Sequence, residues 1–305
     1  MTRSTAREPL DIVVLGAQKS GSTFLSDIIH WSGLAWMQED EVPIFEAPFF
    51  EGSDLRELDR AVAGSDRPLR GIKRADYLCR HECPANLAQV VPGAKLIAVL
   101  RHPIERALAA AAWYMVHGHV PVQSPELLLD DLLQRSSELV GREREILEFG
   151  RYGEAIARYL EFFDLDQLLL LEQGELRDID GLLDRLAVFL DTPVLEGLDR
   201  SATPARSNEG AYHPLRQRVL RLRAPLIYDW EKGHRYEYRP HRQYRPVRTA
   251  IAAVPLAIDR FVLRPLLHDG PSPLSRDLVD RLADFYADDL DLLADVTDFD
   301  VDRWR

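Results

Sequence analysis

Three nearly continuous apolar runs stand out along the chain, within residues 11–16, 95–100 and 167–171. None of them alternates with polar residues, so each reads as a strand buried on both faces. A shorter extended piece is expected near 70–74. Between these stretches the period changes. Apolar positions recur at helical spacing over about 21–32, 83–91, 103–117 and 178–191, and a long amphipathic pattern runs from about 141 to 163. A proline-containing turn is expected at 120–125, and residues 35–70 read as a variable loop. Strands separated by helices imply an α/β protein, a parallel sheet with helices on both faces. There is no internal repeat.

Beyond residue 200 the pattern loosens. Residues 230–248, WEKGHRYEYRPHRQYRPVR, mix Arg, His and Tyr with Pro and Gly. They read either as a solvated basic loop or as a lid whose tyrosine faces suit a sugar or lipid headgroup and whose arginines suit an anion. Residues 249–267 are apolar at helical spacing but are interrupted by Pro255, Asp259, Arg260 and Arg264. A core or oligomer helix pair is the favoured reading there, with a membrane-surface helix left open.

Composition narrows the class. With 305 residues, 46% of them hydrophobic, the chain can bury one sizeable core. No run of about 18 apolar residues occurs, so no spanning helix is expected. The polar first residues lead straight into the first strand without the apolar centre of a secretory signal, which predicts a cytoplasmic protein. A net charge of −12 argues against a general nucleic-acid binder. Cys79 and Cys83, in CRHEC, read as reduced thiols. His81 beside them does not complete a metal site, and no metal is expected.

The chemistry concentrates between residues 11 and 25. An apolar strand runs into Gly16, and Gly21-Ser22-Thr23 opens a helix, so backbone N–H groups and a helix N-terminus can converge on an anion. A Walker A loop places its lysine directly after the second glycine. Ser22 stands there instead, and the loop's one lysine is Lys19. The loop is P-loop-like without the pattern of an ATPase. A second anchor follows the strand at 95–100: Arg101 can fork onto a phosphate, and Pro103 suits the first turn of a helix.

GAQKSGSTFL, residues 16–25, resembles the 5'-phosphosulfate loop of sulfotransferases that use PAPS (3'-phosphoadenosine-5'-phosphosulfate). Arg101-His102-Pro103-Ile104-Glu105-Arg106-Ala107 is similar to the same family's 3'-phosphate motif, with Ala109 where the family has serine. Glu46-Ala47-Pro48-Phe49-Phe50 resembles the segment carrying the catalytic glutamate in heparan-type and many bacterial members. Gly71-Ile72-Lys73-Arg74-Ala75-Asp76-Tyr77 resembles GEKSPDY. Gly150-Arg151-Tyr152 opens a segment similar to a family helix, and Leu282 to Trp304 resembles its closing helix and terminal tryptophan. Ser207 to Pro214 loosely resembles a loop that covers PAPS, with Glu209 in place of lysine.

The resemblance implies a single sulfotransferase domain over residues 1–305, with 225–270 as an acceptor-side or oligomer insertion. It implies PAPS as cofactor and sulfuryl transfer to a hydroxyl, or secondarily an amine, of a carbohydrate, glycolipid or natural product, so the partner is a small-molecule or glycan acceptor. Gly16, Gln18, Lys19, Ser20, Gly21, Ser22, Thr23, Arg101 and Tyr152 form the implied cofactor set. Lys19 would stabilise the leaving group, Glu46 would act as general base and Lys73 would contact the sulfuryl oxygens. Glu39, Asp40, Glu41 and Glu51 compete with Glu46 on the same loop, and His30, His81, His117 and His119 are alternative bases. The rival readings are a P-loop-type nucleotide kinase and a family member that binds nucleotide or glycan without turnover.

Overall fold

The computed structural model describes residues 10–47, 49–52, 58, 67–199, 202–205, 210–227, 246–267, 270–271 and 273–305. Pro48, the Ser207–Glu209 part of the expected covering loop and all but the last three residues of the basic stretch 230–248 lie outside the described residues. These form two compact units. One takes in residues 1–102, 151–207 and 288–305, and the other 103–150 and 208–287.

The first unit is built on a five-stranded parallel sheet. In chain order the strands are β1 (Ile12–Gly16), β2 (Trp36–Met37), β3 (Arg70–Lys73), β4 (Lys95–Leu100) and β5 (Leu168–Glu172), and their spatial order is β2-β3-β1-β4-β5. Ile12, Val14, Ile97, Val99 and Leu171 face a core shared with helices Ser22–Trp31 and Ile179–Leu190, through Leu25, Ile28, Ile29, Leu183 and Leu186. The alternate residues Val13, Leu15, Leu96, Ala98 and Leu100 are equally buried, which is why these strands read as unbroken apolar runs. The α/β expectation holds. The order fixes a switch point: β1 has β3 on one side and β4 on the other, and ligands of such sheets bind outside the carboxyl ends there.

The second unit is helical. Helix Pro103–His117 buries Ala107, Ala110 and Ala111, small side chains that let neighbouring helices approach closely. Tyr114 donates to Glu145 at 2.6 Å and Arg142 donates to the same carboxylate at 2.7 Å. The fully buried Arg106 donates to the Ile146 carbonyl. Arg216 grips Asp259 with two bonds of 2.7 Å.

Three expectations need correction. The long pattern over 141–163 is two helices, Gly141–Glu148 and Tyr152–Leu160. They part at Gly150, where an added Cβ would lie 3.0 Å from the Tyr286 ring. The turn expected at 120–125 ends in a helix, Pro125–Gln134, with Pro125 in its first turn. Residues 249–267 do form a helix, Pro246–Ile258 continuing through a π turn at Asp259–Leu263; of the core and oligomer roles expected for it, the core role holds for one face only, since Val254, Phe261, Val262 and Leu266 are exposed.

Candidate functional site

The loop after β1 owes its path to two glycines. Gly16 has φ +128°, and a Cβ there would come within 2.3 Å of the Ala75 carbonyl oxygen. Gly21, at φ +103°, starts helix Ser22–Trp31, and its Cβ would meet Leu176 at 2.8 Å. Only glycine fits either place. Lys19 also takes a left-handed φ of +66°, uncommon for a residue with a side chain. The Ala17 N–H donates to Val99 at 2.8 Å and the Ser20 N–H to Ala17 at 3.2 Å, tying the turn to β4.

The Ser20 hydroxyl is buried and has no hydrogen-bond partner among the described residues. The N-cap of the Ser22–Trp31 helix is Gly21, which has no side chain with which to cap the first turn, and the helix start carries the positive end of the helix dipole. Arg101, just past β4, reaches back to the Lys19 carbonyl at 3.4 Å. Lys73 ends β3 in register with Val14 and is buried. The loop, Lys73 and Arg101 thus gather at the carboxyl ends of β1, β3 and β4, the switch point of the sheet.

Glu46 lies in a different environment. Its side chain is fully buried. Arg74 Nε donates to one carboxylate oxygen at 2.5 Å and Arg74 Nη2 to the other at 3.4 Å, with Arg80 at 3.9 Å. Burial raises the Glu46 pKa above the ordinary carboxylate value, against the pull of the Arg74 charge; Asp76 adds to the rise. Burial opposes the Arg74 charge in turn, but Asp76, Glu46 and Glu41 together hold it well above its ordinary value. Glu41 also accepts from Arg74, at 2.8 Å.

Asp76 links the two environments. It accepts from Gln18 Nε2 at 3.1 Å on one oxygen and from Arg80 at 3.2 Å on the other, with Arg74 at 3.7 Å. A chain of polar contacts therefore runs from the loop glutamine through Asp76 to the arginines that hold Glu46. Asp27, on the first helix, also belongs here: burial raises its pKa, with the Lys73 charge opposing.

Tyr152 is fully buried, and its hydroxyl donates to the Arg101 carbonyl at 2.9 Å. Trp304 lies 6.0 Å from the Tyr152 ring and 6.4 Å from His102, so the last residues pack beside the Arg101 strand end. Asp289 accepts from the Gly153 and Glu154 N–H groups at 2.9 Å, fixing the start of helix Tyr152–Leu160. Of the alternative bases, His30 accepts from the Met37 N–H at 3.1 Å, and His119 is pushed down to about 3 by burial and by the charges of Arg142, His117 and Arg221. Cys79 and Cys83 are buried thiols not joined in a disulfide.

The structure brings Gly16, Gln18, Lys19, Ser20, Gly21, Ser22, Thr23, Lys73 and Arg101 to one sheet edge. Tyr152 joins them through the Arg101 backbone and Glu46 through Arg74 and Asp76. Reading the sequence missed Arg74, Asp76 and Asp27. The Arg74-x-Asp76 pair directly after Lys73 was the available signal.

Comparison with known proteins sets this geometry beside sulfotransferases. No family model matches the chain. It is 28% identical over 192 residues, 60% of its length, to bifunctional heparan sulfate N-deacetylase/N-sulfotransferase 1 of Caenorhabditis elegans. It is 30% identical over 193 residues, 58% of its length, to bifunctional heparan sulfate N-deacetylase/N-sulfotransferase 3 of Homo sapiens. The matched segments cover only 22% of either relative. In fold it is similar to the sulfotransferase from Alicyclobacillus acidocaldarius, with a TM-score of 0.62 and 17% identity over 99% of this chain and 100% of that one. The sequence similarity to heparan sulfate N-sulfotransferases and the likeness in fold together support a sulfotransferase reading of the site.

Proposed function

We propose that this chain transfers a sulfuryl group from PAPS to a hydroxyl of a carbohydrate, glycolipid or natural-product acceptor. The observation that carries the reading is the set of donors gathered at the switch point. The Ser20 hydroxyl, without a hydrogen-bond partner among the described residues, the helix start at Gly21 and the two glycines that set the loop's path against Ala75 and Leu176 make a cradle suited to a phosphate. Arg101 supplies a second cationic anchor on the adjoining strand end. When bound, PAPS would supply an activated sulfuryl group on a phosphate leaving group.

In this reading Lys19 and the loop N–H groups neutralise charge that builds on the leaving phosphate, and Lys73 orients the sulfuryl oxygens. Glu46 takes the acceptor proton. Its buried setting keeps its proton affinity high enough for that role, but Arg74 occupies both carboxylate oxygens. Arg74 must therefore turn away for the acceptor to reach the base. The relatives are named for N-sulfation of heparan sulfate, which adds glycan amines to the acceptors worth screening.

Calorimetric titration with adenosine 3',5'-bisphosphate tests the reading, with 5'-AMP and ATP as controls. Binding that needs the 3'-phosphate is expected. Absence of binding, or preference for ATP with Mg²⁺, overturns it.

A further inference from the structure

The helical segment from Ala250 to Leu266 is held to its own unit by one face. Ala252, Pro255 and Asp259 are buried at spacings of three and four, and Asp259 is locked by Arg216. The other face stands out. Ile251, Val254, Ile258, Phe261, Val262 and Leu266 also recur at spacings of three and four, and all are exposed, Phe261 to 72% and Leu266 to 75%. An apolar stripe of this size needs an occupant.

Charge selects it. Asp259 is the sole acid between residues 250 and 266, and it is buried. The exposed charges of the segment are Arg260 and Arg264, with the Arg260 guanidinium 5.6 Å from the Phe261 ring centre. The sequence just ahead, 230–248, carries five arginines and one lysine against two glutamates, in a chain whose net charge is −12. A second copy of the same face would bring arginines against arginines with no exposed acid on either helix to meet them. An anionic bilayer supplies both the negative charge and the hydrocarbon. The segment would lie along such a surface and not cross it, since among the described residues no helix is long and apolar enough to span.

We infer that residues 250–266 dock on an anionic lipid surface, the apolar stripe entering the acyl boundary and Arg260 and Arg264 meeting the phosphates. The inference is independent of the transfer reading.

The test is flotation of the full chain with vesicles of phosphatidylcholine mixed with phosphatidylglycerol, against phosphatidylcholine alone. Binding to the mixed vesicles is expected, weakening as salt is raised. Arg260→Glu with Arg264→Glu should reduce partitioning by about thirtyfold or more, from roughly fivefold for each arginine charge lost near the surface. Phe261→Ser with Val262→Ser should reduce it comparably at unchanged thermal stability, because both side chains are already in solvent. Failure to bind either vesicle overturns the inference, as does equal binding to both. So does a concentration-dependent dimer in ultracentrifugation that Phe261→Ser dissociates, which would assign the stripe to a second copy.

Discussion

The loop at residues 16–23 and the pocket around Glu46 are joined through Asp76, yet they are built on opposite plans. The loop holds a buried serine hydroxyl with no hydrogen-bond partner among the described residues, and a helix start whose N-cap is glycine. In the pocket both Glu46 oxygens already accept from Arg74, which also serves Glu41. A site for an external anion has to be unsatisfied before its ligand arrives. A buried carboxylate has to be satisfied at all times, because an isolated charge in the interior is too costly. Ligand binding and proton abstraction should therefore come apart under mutation: changes in the loop cost affinity, and changes in the pocket cost stability.

Arg74→Met gives the largest effect. It strips the carboxylate of its close partner and leaves Arg80 at 3.9 Å. Breaking a buried pair from one side costs about 3 kcal/mol or more. Chemical denaturation should register that loss, while affinity for adenosine 3',5'-bisphosphate stays within about threefold. A large loss of affinity at unchanged stability would erase the distinction between the two regions. Next in size is Arg101→Ala, which removes a charged donor. It should weaken adenosine 3',5'-bisphosphate by roughly 10- to 100-fold, on the scale of one hydrogen bond to a charged group, and leave 5'-AMP unchanged. Equal losses for both ligands would mean that Arg101 does not distinguish the 3'-phosphate.

The two regions also differed in how plainly they could be read. The loop was legible because glycine spacing and a strand-to-helix transition are local signals, and the 95–100 strand and 103–117 helix followed from unbroken periodicity. The pocket is made by distant residues. Arg74 and Glu46 are 28 positions apart and Gln18 and Asp76 are 58 apart, and no period connects them. Strand β2 has two residues, too few to show alternation. The break at Gly150 depends on Tyr286, far along the chain.

A smaller effect separates the regions by pH. Burial raises Glu46 above its ordinary value of 4.5. The folded state then holds this proton more tightly than the unfolded chain does. Stability from Glu46 is fully present below the unfolded value and is lost as pH rises through the raised folded value. Glu46→Gln cannot ionise, so its stability relative to wild type should climb with pH across the window that begins near 4.5. A flat difference would show that Arg74 cancels the burial.

The smallest change bears most directly on the loop. In Ser20→Ala the buried hydroxyl, which has no partner among the described residues, is replaced by a methyl of similar size. Removing an unsatisfied buried polar group relieves its desolvation cost, so the free protein should be equally stable or gain up to about 1 kcal/mol. If the hydroxyl is held for an anion, the same change should weaken adenosine 3',5'-bisphosphate by roughly fivefold, one ordinary hydrogen bond. Thermal unfolding with and without the ligand reads both on one sample: the variant should start at or above wild type and gain less on ligand addition. Equal gains in the two proteins would mean that Ser20 is only a packing residue and that the cradle rests on backbone donors and Lys19.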